Sequence, residues 1–169
     1  MRRSAIVAWT LAKVVTAVVC IGWCALHVRK LDPYFRLVVP PWTRVPGCIL
    51  LILGGVLVLT CGGILSTRWD AAPFPMKGRF FPREFVAFGP FRYVRNPMSL
   101  GAVTLMMGLG LYEESISVLL LALLLFLFLH LVVIYVEEPG LERRFGESYR
   151  QYRQSVNRWL PGFVRDRPR

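Results

Sequence analysis

The chain has 169 residues, a length that suits one domain better than two. Hydrophobic residues make up 55% of it and are concentrated in long blocks, which argues against an ordinary soluble enzyme and predicts an all-α integral membrane protein. The net charge of +11 comes from arginines that flank these blocks, so anionic lipid head groups are the expected partner and nucleic acid is not.

Four apolar blocks predict about four transmembrane helices. They cover residues 5–26, 47–66, 99–112 and 116–136. Three of them have about the ~20 residues that span a bilayer, whereas the block 99–112, with about 14, is marginal by length alone. Because only Glu113-Glu114-Ser115 separates the last two blocks, we predict that they form a tight helical hairpin.

The first block has a second interpretation, since Met1-Arg2-Arg3 before an apolar run is also typical of a signal peptide. The run is longer than the ~7–15 apolar residues of a signal peptide and no small-x-small cleavage site follows, so we expect a retained helix. With both termini in the cytoplasm, 16 of the 20 basic residues outside the spans lie inside, as the positive-inside bias favours. The four in the first loop oppose that orientation. We expect a bacterial inner membrane location.

Proline and glycine mark the region of the second block. Asp32-Pro33, Pro40-Pro41 and Pro46 exclude a continuous helix between the first two blocks. Gly54-Gly55 and Gly62-Gly63 are eight residues apart on one helical face, a pattern that permits another helix to approach closely.

The four cysteines lie in or beside the spans without metal-ligand spacing, which predicts small core residues and no metal site. They are Cys20, Cys24, Cys48 and Cys61.

Residues 67–97 form the most unusual segment, with five prolines and eight aromatic residues. A disordered linker would lack so many large apolar groups, so we predict an ordered, irregular loop lying over the helix ends.

After Val136, the residues Pro139 and Gly140 are predicted to end the last span. An apolar stripe then predicts one basic amphipathic helix in the membrane interface. The stripe consists of Leu141, Phe145, Tyr149, Tyr152 and Val156.

Charged residues converge at one predicted end of the hairpin. Arg95 precedes the third span, where Pro97 suits a first helical turn, and Glu137 and Glu138 follow the fourth. A zwitterionic ligand with a cationic centre would fit there, with its carboxylate on Arg95 and a flat base on Phe91 or Phe88. The alternative is an ion pair that only staples the loop to the tail. Paired glutamates at a membrane exit are costly to desolvate, which favours ligand binding.

Two motifs follow one another around this hairpin. The first is Gly89-x-Phe91-x-x-x-Arg95-Asn96-Pro97-x-x-x-Gly101. The second is Glu137-Glu138-x-x-Leu141-x-x-x-Phe145-Gly146-x-x-Tyr149-x-x-Tyr152, followed by Val156-x-Arg158-Trp159-Leu160-Pro161. In this order, over about residues 73–161, they resemble the isoprenylcysteine carboxyl methyltransferase-like family, which overlaps the membrane phospholipid methyltransferases.

The resemblance implies an S-adenosylmethionine-dependent methyltransferase that binds its cofactor without a Rossmann fold, at the membrane face of the helical bundle. The charge bias predicts that this face is cytoplasmic. The acceptor would be an amphiphilic or small lipophilic molecule that enters from the bilayer. With the charged residues at the hairpin end, the predicted cofactor contacts are Arg83, Glu84, Phe85, Val86, Phe91, Arg95, Asn96, Pro97, Met98, Ser99, Glu137 and Glu138. Arg95 and Asn96 are the predicted catalytic residues. Within a single domain, residues 1–66 then hold two spans, 67–161 form the methyltransferase-like region, and 162–169 form a basic tail.

Three positions depart from the family pattern. The family's His and Tyr are replaced by Asn96 and Ser99, so a general base is absent there, and Val133 stands where eukaryotic members carry a substrate-contacting arginine. Methyl transfer from a sulfonium needs mainly proximity and in-line orientation, so an enzyme remains the favoured interpretation. A non-catalytic membrane scaffold and, less favoured, an NADPH-dependent membrane reductase are the alternatives.

Of the residue types Asp, Glu, His, Lys and Arg, the fourth block contains only His130. It lies two helical turns before Glu137 on the same face. We consider two roles for it: a hydrogen-bonded helix–helix contact, or a residue on the substrate side of the ligand cavity.

Overall fold

The computed structural model describes residues 19–35, 37–68 and 87–161, and within these ranges all regular structure is helical, as predicted. Helix α1 is described over residues 19–28. The other helices are α2 (Arg44–Arg68), α3 (Pro97–Tyr112), α4 (Ile116–Val132), a π-helix (Val133–Glu137), α5 (Glu138–Phe145) and α6 (Glu147–Ser155). Short 3₁₀ helices occupy Arg29–Tyr34, Pro41–Thr43 and Gly89–Arg92.

Two described helices are long and apolar enough to cross a membrane, Pro41–Leu65 and Ile116–Phe145. Helix α3 is apolar but shorter. Because α1 is described only from residue 19, the count of four spans stays a prediction. Ala25 of α1 packs with Met106 of α3 and with Val118 and Ala122 of α4, so the described part of α1 joins the hairpin in one apolar core.

Helices α2 and α3 pack backbone against backbone through glycines spaced seven residues apart on each helix. These are Gly47 and Gly54 on α2 and Gly101 and Gly108 on α3. A Cβ atom at Gly54 would lie 2.6 Å from the backbone nitrogen of Leu105. A Cβ at Gly55 or Gly63 would meet nothing within 4 Å. The predicted close approach of another helix therefore occurs at Gly54 and not at Gly55 or Gly63.

The hairpin of α3 and α4 forms as predicted, and polar residues fix its turn. The Ser115 hydroxyl accepts a hydrogen bond from the Val118 backbone N–H at 3.3 Å, which caps α4. The carboxylate of Asp32, from the first loop, accepts another from the Ser117 N–H at 2.9 Å. Although burial acts to raise it, the pKa of Asp32 is lowered by its hydrogen bonds to Ser117 and Ser115. The first loop is therefore docked onto the hairpin turn.

Two arginines of the first loop are neutralised at this turn. Arg29 pairs with Glu113, and Arg44 Nε lies 2.6 Å from Glu114 Oε1. The arginine side chains are at least half exposed and the glutamates about a quarter, so the contribution of these pairs to stability is small. Each pair also offsets one positive charge at the end of the molecule opposite to Arg95.

Beyond α4 the chain differs from the prediction in two places. Pro139 and Gly140 do not end the helix: the π-helix leads directly into α5, where Pro139 occupies a first-turn position that needs no N–H partner. The predicted single amphipathic helix is two helices, because Gly146 has a φ of +55° and breaks the chain between α5 and α6. The predicted apolar stripe still forms one cluster across this break.

The prediction of four core cysteines is wrong for three of them. Cys61 is buried, whereas Cys20, Cys24 and Cys48 lie on exposed helix surfaces. In a bilayer such surfaces face lipid or another helix, so an apolar thiol does not need a protein core there.

Candidate functional site

Three segments distant in sequence meet where α3 begins and α5 begins. They are the stretch from residue 87 to α3, the π-helix with α5, and residues 156–161 after α6. The Arg95 backbone N–H donates to the Asn157 carbonyl at 2.9 Å, which joins the first and third segments. Pro97 is buried at the first position of α3, as predicted, so this junction has a fixed helix start.

Glu138 is the centre of the charge cluster. Its carboxylate accepts two hydrogen bonds from Arg158, from Nε at 2.7 Å and from Nη2 at 2.9 Å. Arg95 Nη1 lies 3.0 Å from Glu138 Oε1, an ionic contact without aligned hydrogen-bond geometry. Only 8% of the Glu138 side chain and 11% of the Arg95 side chain are exposed. One buried carboxylate therefore holds two guanidinium groups, and the prediction that Arg95 and Glu138 converge is confirmed.

Two tyrosines of α6 close the cluster from the other side. The Tyr152 hydroxyl donates to the Phe91 carbonyl at 2.5 Å, which holds the 3₁₀ helix Gly89–Arg92 against the tail. Tyr149 is buried beside Glu138 and Arg95. Burial raises the pKa of both phenols, and for Tyr149 the nearby Glu138 charge adds to this. Both hydroxyls therefore stay protonated, and Tyr152 keeps the proton that it donates to Phe91.

Besides Arg95 Nη1, which keeps its ionic contact with Glu138, two buried donors beside the cluster have no hydrogen-bond partner among the described residues. They are Arg95 Nε and Asn96 Nδ2. Asn96 precedes α3, yet its side chain does not cap the helix. A buried polar group without a partner costs about 1–3 kcal/mol, so two of them at adjacent positions call for a ligand or a further chain segment that supplies acceptors.

The two glutamates predicted as one pair have different surroundings. Glu138 is committed to Arg95 and Arg158. Glu137 is the last residue of the π-helix, is only partly buried, and has no ion pair or hydrogen bond to another described side chain. A π-helix inserts an extra residue into the helical turn, an arrangement that is frequent at functional sites. Here Glu138 faces the arginines, whereas the neighbouring Glu137 carboxylate has no counter-ion within the described part of the chain.

The remaining predicted residues divide into three groups. Phe91 and Ser99 are half-buried and Met98 is exposed around the start of α3. His130 accepts a hydrogen bond at Nδ1 from the Trp159 indole N–H at 2.9 Å, within an aromatic group that includes Phe126. Arg83, Glu84, Phe85 and Val86 lie outside the described residues.

Sequence reasoning missed Arg158, Tyr149, Tyr152 and Trp159 as members of this site. The two tyrosines were identified only as members of an apolar stripe and of the second motif, and Arg158 and Trp159 only as part of that motif. Arg158 is 20 residues from Glu138, and the break at Gly146 turns the tail back toward the cluster. The buried cluster of one carboxylate and two guanidinium groups could be predicted only once that turn is known.

Replacing Tyr152 with phenylalanine tests how the tail holds the Phe91 segment. We expect Tyr152→Phe to lower the free energy of unfolding by about 1 kcal/mol, because the Phe91 carbonyl loses its donor while the packing of the ring is kept. Faster cleavage near residues 87–93 in limited proteolysis would accompany it. Tyr93→Phe is the control, since Tyr93 is exposed and should give no change. Equal behaviour of the two variants would contradict the proposed bracing.

Comparison with known proteins supports the resemblance. Residues 42–148 match the profile of a family described as phospholipid methyltransferase. A search of curated proteins gives no match. A solved structure of the eukaryotic intramembrane Ras methyltransferase, isoprenylcysteine carboxyl methyltransferase, is similar in fold, with a TM-score of 0.64 and 20% sequence identity. The alignment covers 88% of this chain and 53% of that one, so the present chain spans about half of its length.

Proposed function

Because this chain belongs to the phospholipid methyltransferase family, we propose that it transfers a methyl group from S-adenosylmethionine to an amphiphilic or small lipophilic acceptor. The family and the apolar helices make it an integral membrane protein of a methyltransferase class. We also propose the identity of the methyl donor, the class of the acceptor, the roles of individual residues and the orientation in the membrane.

The two donors Arg95 Nε and Asn96 Nδ2, which find no hydrogen-bond partner among the described residues, carry this proposal. S-adenosylmethionine has a carboxylate and ring nitrogens that accept hydrogen bonds, together with two positively charged centres. Buried donors beside the Glu137 carboxylate, which no described residue neutralises, complement such a molecule. The described residues therefore fit the cofactor: Arg95 and Asn96 would hold its accepting groups, Glu137 a positive centre, and Phe91 its base.

The chain's own contribution would be positioning and electrostatics. Glu138 and the Asn157 carbonyl fix Arg95 from two directions, so its guanidinium needs little reorganisation when it binds an anion. When bound, S-adenosylmethionine supplies an electrophilic methyl group on its sulfonium. Asn96 can donate and accept hydrogen bonds but takes up no proton near neutral pH, so it orients groups rather than acting as a base.

We propose that the site and both termini face the cytoplasm. The four basic residues of the first loop oppose this on a simple charge count. Two of them, Arg29 and Arg44, pair with Glu113 and Glu114, but the bias counts basic residues, so the orientation rests on the 16 of 20 that it places inside. On the other side, Arg150 and Arg153 pair with Glu142, so the exposed Arg143 and Arg144 are the residues that we propose for contact with anionic head groups.

Binding of S-adenosylhomocysteine to the detergent-purified protein, measured by calorimetry, tests the proposal. We expect Asn96→Ala to weaken binding about 10- to 100-fold, because a hydrogen bond to a charged group is lost from a buried position. Asn157→Ala is the matched control: the Asn157 residue is exposed and only its backbone carbonyl takes part in the site. It should bind as wild type does.

Two results would contradict the proposal. Absence of binding to wild type, together with binding of NADPH, would favour the membrane reductase. Binding of S-adenosylhomocysteine without methyl transfer to any membrane component would favour the non-catalytic scaffold. Equal loss of affinity in Asn96→Ala and Asn157→Ala would show that Asn96 acts only through the local fold.

A further inference from the structure

His130 places a polar ring within a helix that is otherwise apolar from Ile116 to Val136. It lies seven residues before Glu137, about 10 Å deeper along the helix than the charge cluster. An ionisable side chain at such a depth is costly and in membrane proteins is usually tied to function. Its possible role depends on which of the two ring nitrogens carries a proton that can be donated to a ligand.

The contact with Trp159 fixes the tautomer of His130. Trp159 Nε1 lies 2.9 Å from His130 Nδ1. An indole N–H can only donate, so Nδ1 is the acceptor and carries no proton, and the proton of the neutral ring is on Nε2. Phe126 packs edge-on against Trp159, with ring centroids 5.2 Å apart, and lies 5.9 Å from the His130 ring. The indole therefore holds the imidazole in one orientation and one tautomer.

The Nε2–H of His130 makes no hydrogen bond to any described residue, and the ring is partly exposed. Next to hydrocarbon no water is present to take this donor, so leaving it unpaired costs free energy. Leu127 and Leu123, three and seven residues earlier on the same helical face, are 47% and 54% exposed. The donor thus lies on a face that an acyl or isoprenoid chain can reach from the bilayer.

We propose that His130 Nε2–H binds a hydrogen-bond-accepting oxygen of the methyl acceptor, and that Trp159 is the positioning residue that keeps this proton on Nε2. This rests on the proposed function and adds to it a definite role for His130. While the indole bond is in place, His130 is a donor and not a general base. The acceptor is therefore an amphiphile with an oxygen lone pair near its reacting group, such as a hydroxyl, carboxylate or ester.

The test measures transfer of radiolabelled methyl groups from S-adenosylmethionine into the lipid fraction of membranes that contain the full chain. We expect His130→Leu to reduce the label about tenfold or more, because the oxygen loses the donor that His130 supplies. His130→Gln, whose amide N–H reaches the position of Nε2, should stay within about threefold of wild type. Trp159→Phe keeps the ring but loses its N–H, and should reduce the label about three- to tenfold.

Matched controls exist for both residues. His27→Leu changes the other histidine, whose Nδ1 bonds to the Trp23 carbonyl of its own helix, and Trp23→Phe changes an exposed tryptophan. Neither should alter the label. In ¹⁵N spectra of histidine-labelled protein, His130 should be the Nε2–H tautomer in wild type and a mixture of tautomers in Trp159→Phe, a change that loss of packing alone would not cause.

The possible failures can be told apart by measuring S-adenosylhomocysteine binding in the same variants. All of them should bind it within about twofold of wild type, because the charge cluster is unchanged. Wild-type membranes without label would overturn the proposed function, and this inference with it. Wild-type activity in His130→Leu, or an Nδ1–H tautomer in wild type, would overturn the role of His130 alone.

Discussion

Replacing Glu138 with alanine should destabilise the protein more than any other single change in the charge cluster. We expect the free energy of unfolding to fall by about 3–5 kcal/mol, because Arg95 and Arg158 would both lose their carboxylate in a nearly buried position. For a chain of this size that is a fall in melting temperature of about 10 °C. Intrinsic tryptophan fluorescence during heating in detergent would measure it.

Three further variants make this prediction specific. Glu138→Gln keeps the volume and should lose nearly as much stability, since charge and not packing is the cause. Arg158→Ala should cost less, because Glu138 keeps Arg95 as a partner. Glu147→Ala is the control, because its side chain is 68% exposed and its pair with Arg150 is long, at 3.7 Å; it should stay within about 0.5 kcal/mol. A small effect of both Glu138 changes would show that the cluster is not a structural centre.

Adding a single methyl group at Gly54 should separate α2 from α3. The new Cβ would lie 2.6 Å from Leu105 N and 2.8 Å from Gly101 O, and both are backbone atoms that cannot rotate away. We expect Gly54→Ala to destabilise the protein by about 1–3 kcal/mol, and Gly54→Leu to prevent accumulation of folded protein. Gly108→Ala should act similarly, since its Cβ would lie 2.6 Å from Leu51 N. Thermal unfolding and the yield of monodisperse protein measure both.

The neighbouring residue Gly55 provides a control of identical chemistry. A Cβ there meets nothing within 4 Å, so Gly55→Ala should be neutral or should stabilise α2 by about 0.5–1 kcal/mol through helix propensity. A similar loss of stability in Gly54→Ala and Gly55→Ala would mean that flexibility of α2, and not contact with α3, requires glycine at these positions.

The helices were predictable because their signals are local. The block 116–136 has the length and apolarity of a span, and Pro97 marks the start of α3. The hairpin was predictable because only Glu113-Glu114-Ser115 separates the last two apolar blocks. Its close contact with α2 was predictable only in part, because glycine spacing identifies a helical face but not its partner. Gly54 packs against α3 and its neighbour Gly55 does not.

The end of the last span was not predictable from proline and glycine alone. Pro139 ends a helix only where its missing N–H or its ring disturbs a continuing α-helical turn. The π-helix before it changes the register, and Pro139 falls in the first turn of α5. Gly146, which sequence reasoning placed inside a continuous amphipathic helix, is the residue that breaks it.

The sequence alone determined that a membrane chain would bring Arg95 and a glutamate pair to one end of a hairpin, since charge, apolar length and connection length are local properties. Only the tertiary structure decided which glutamate the arginines hold, that Arg158 joins them, and that Trp159 bonds to His130. Those choices depend on where the tail returns after Gly146. No spacing along the chain encodes that return, because it results from packing the tyrosines of α6 against residues more than fifty positions earlier.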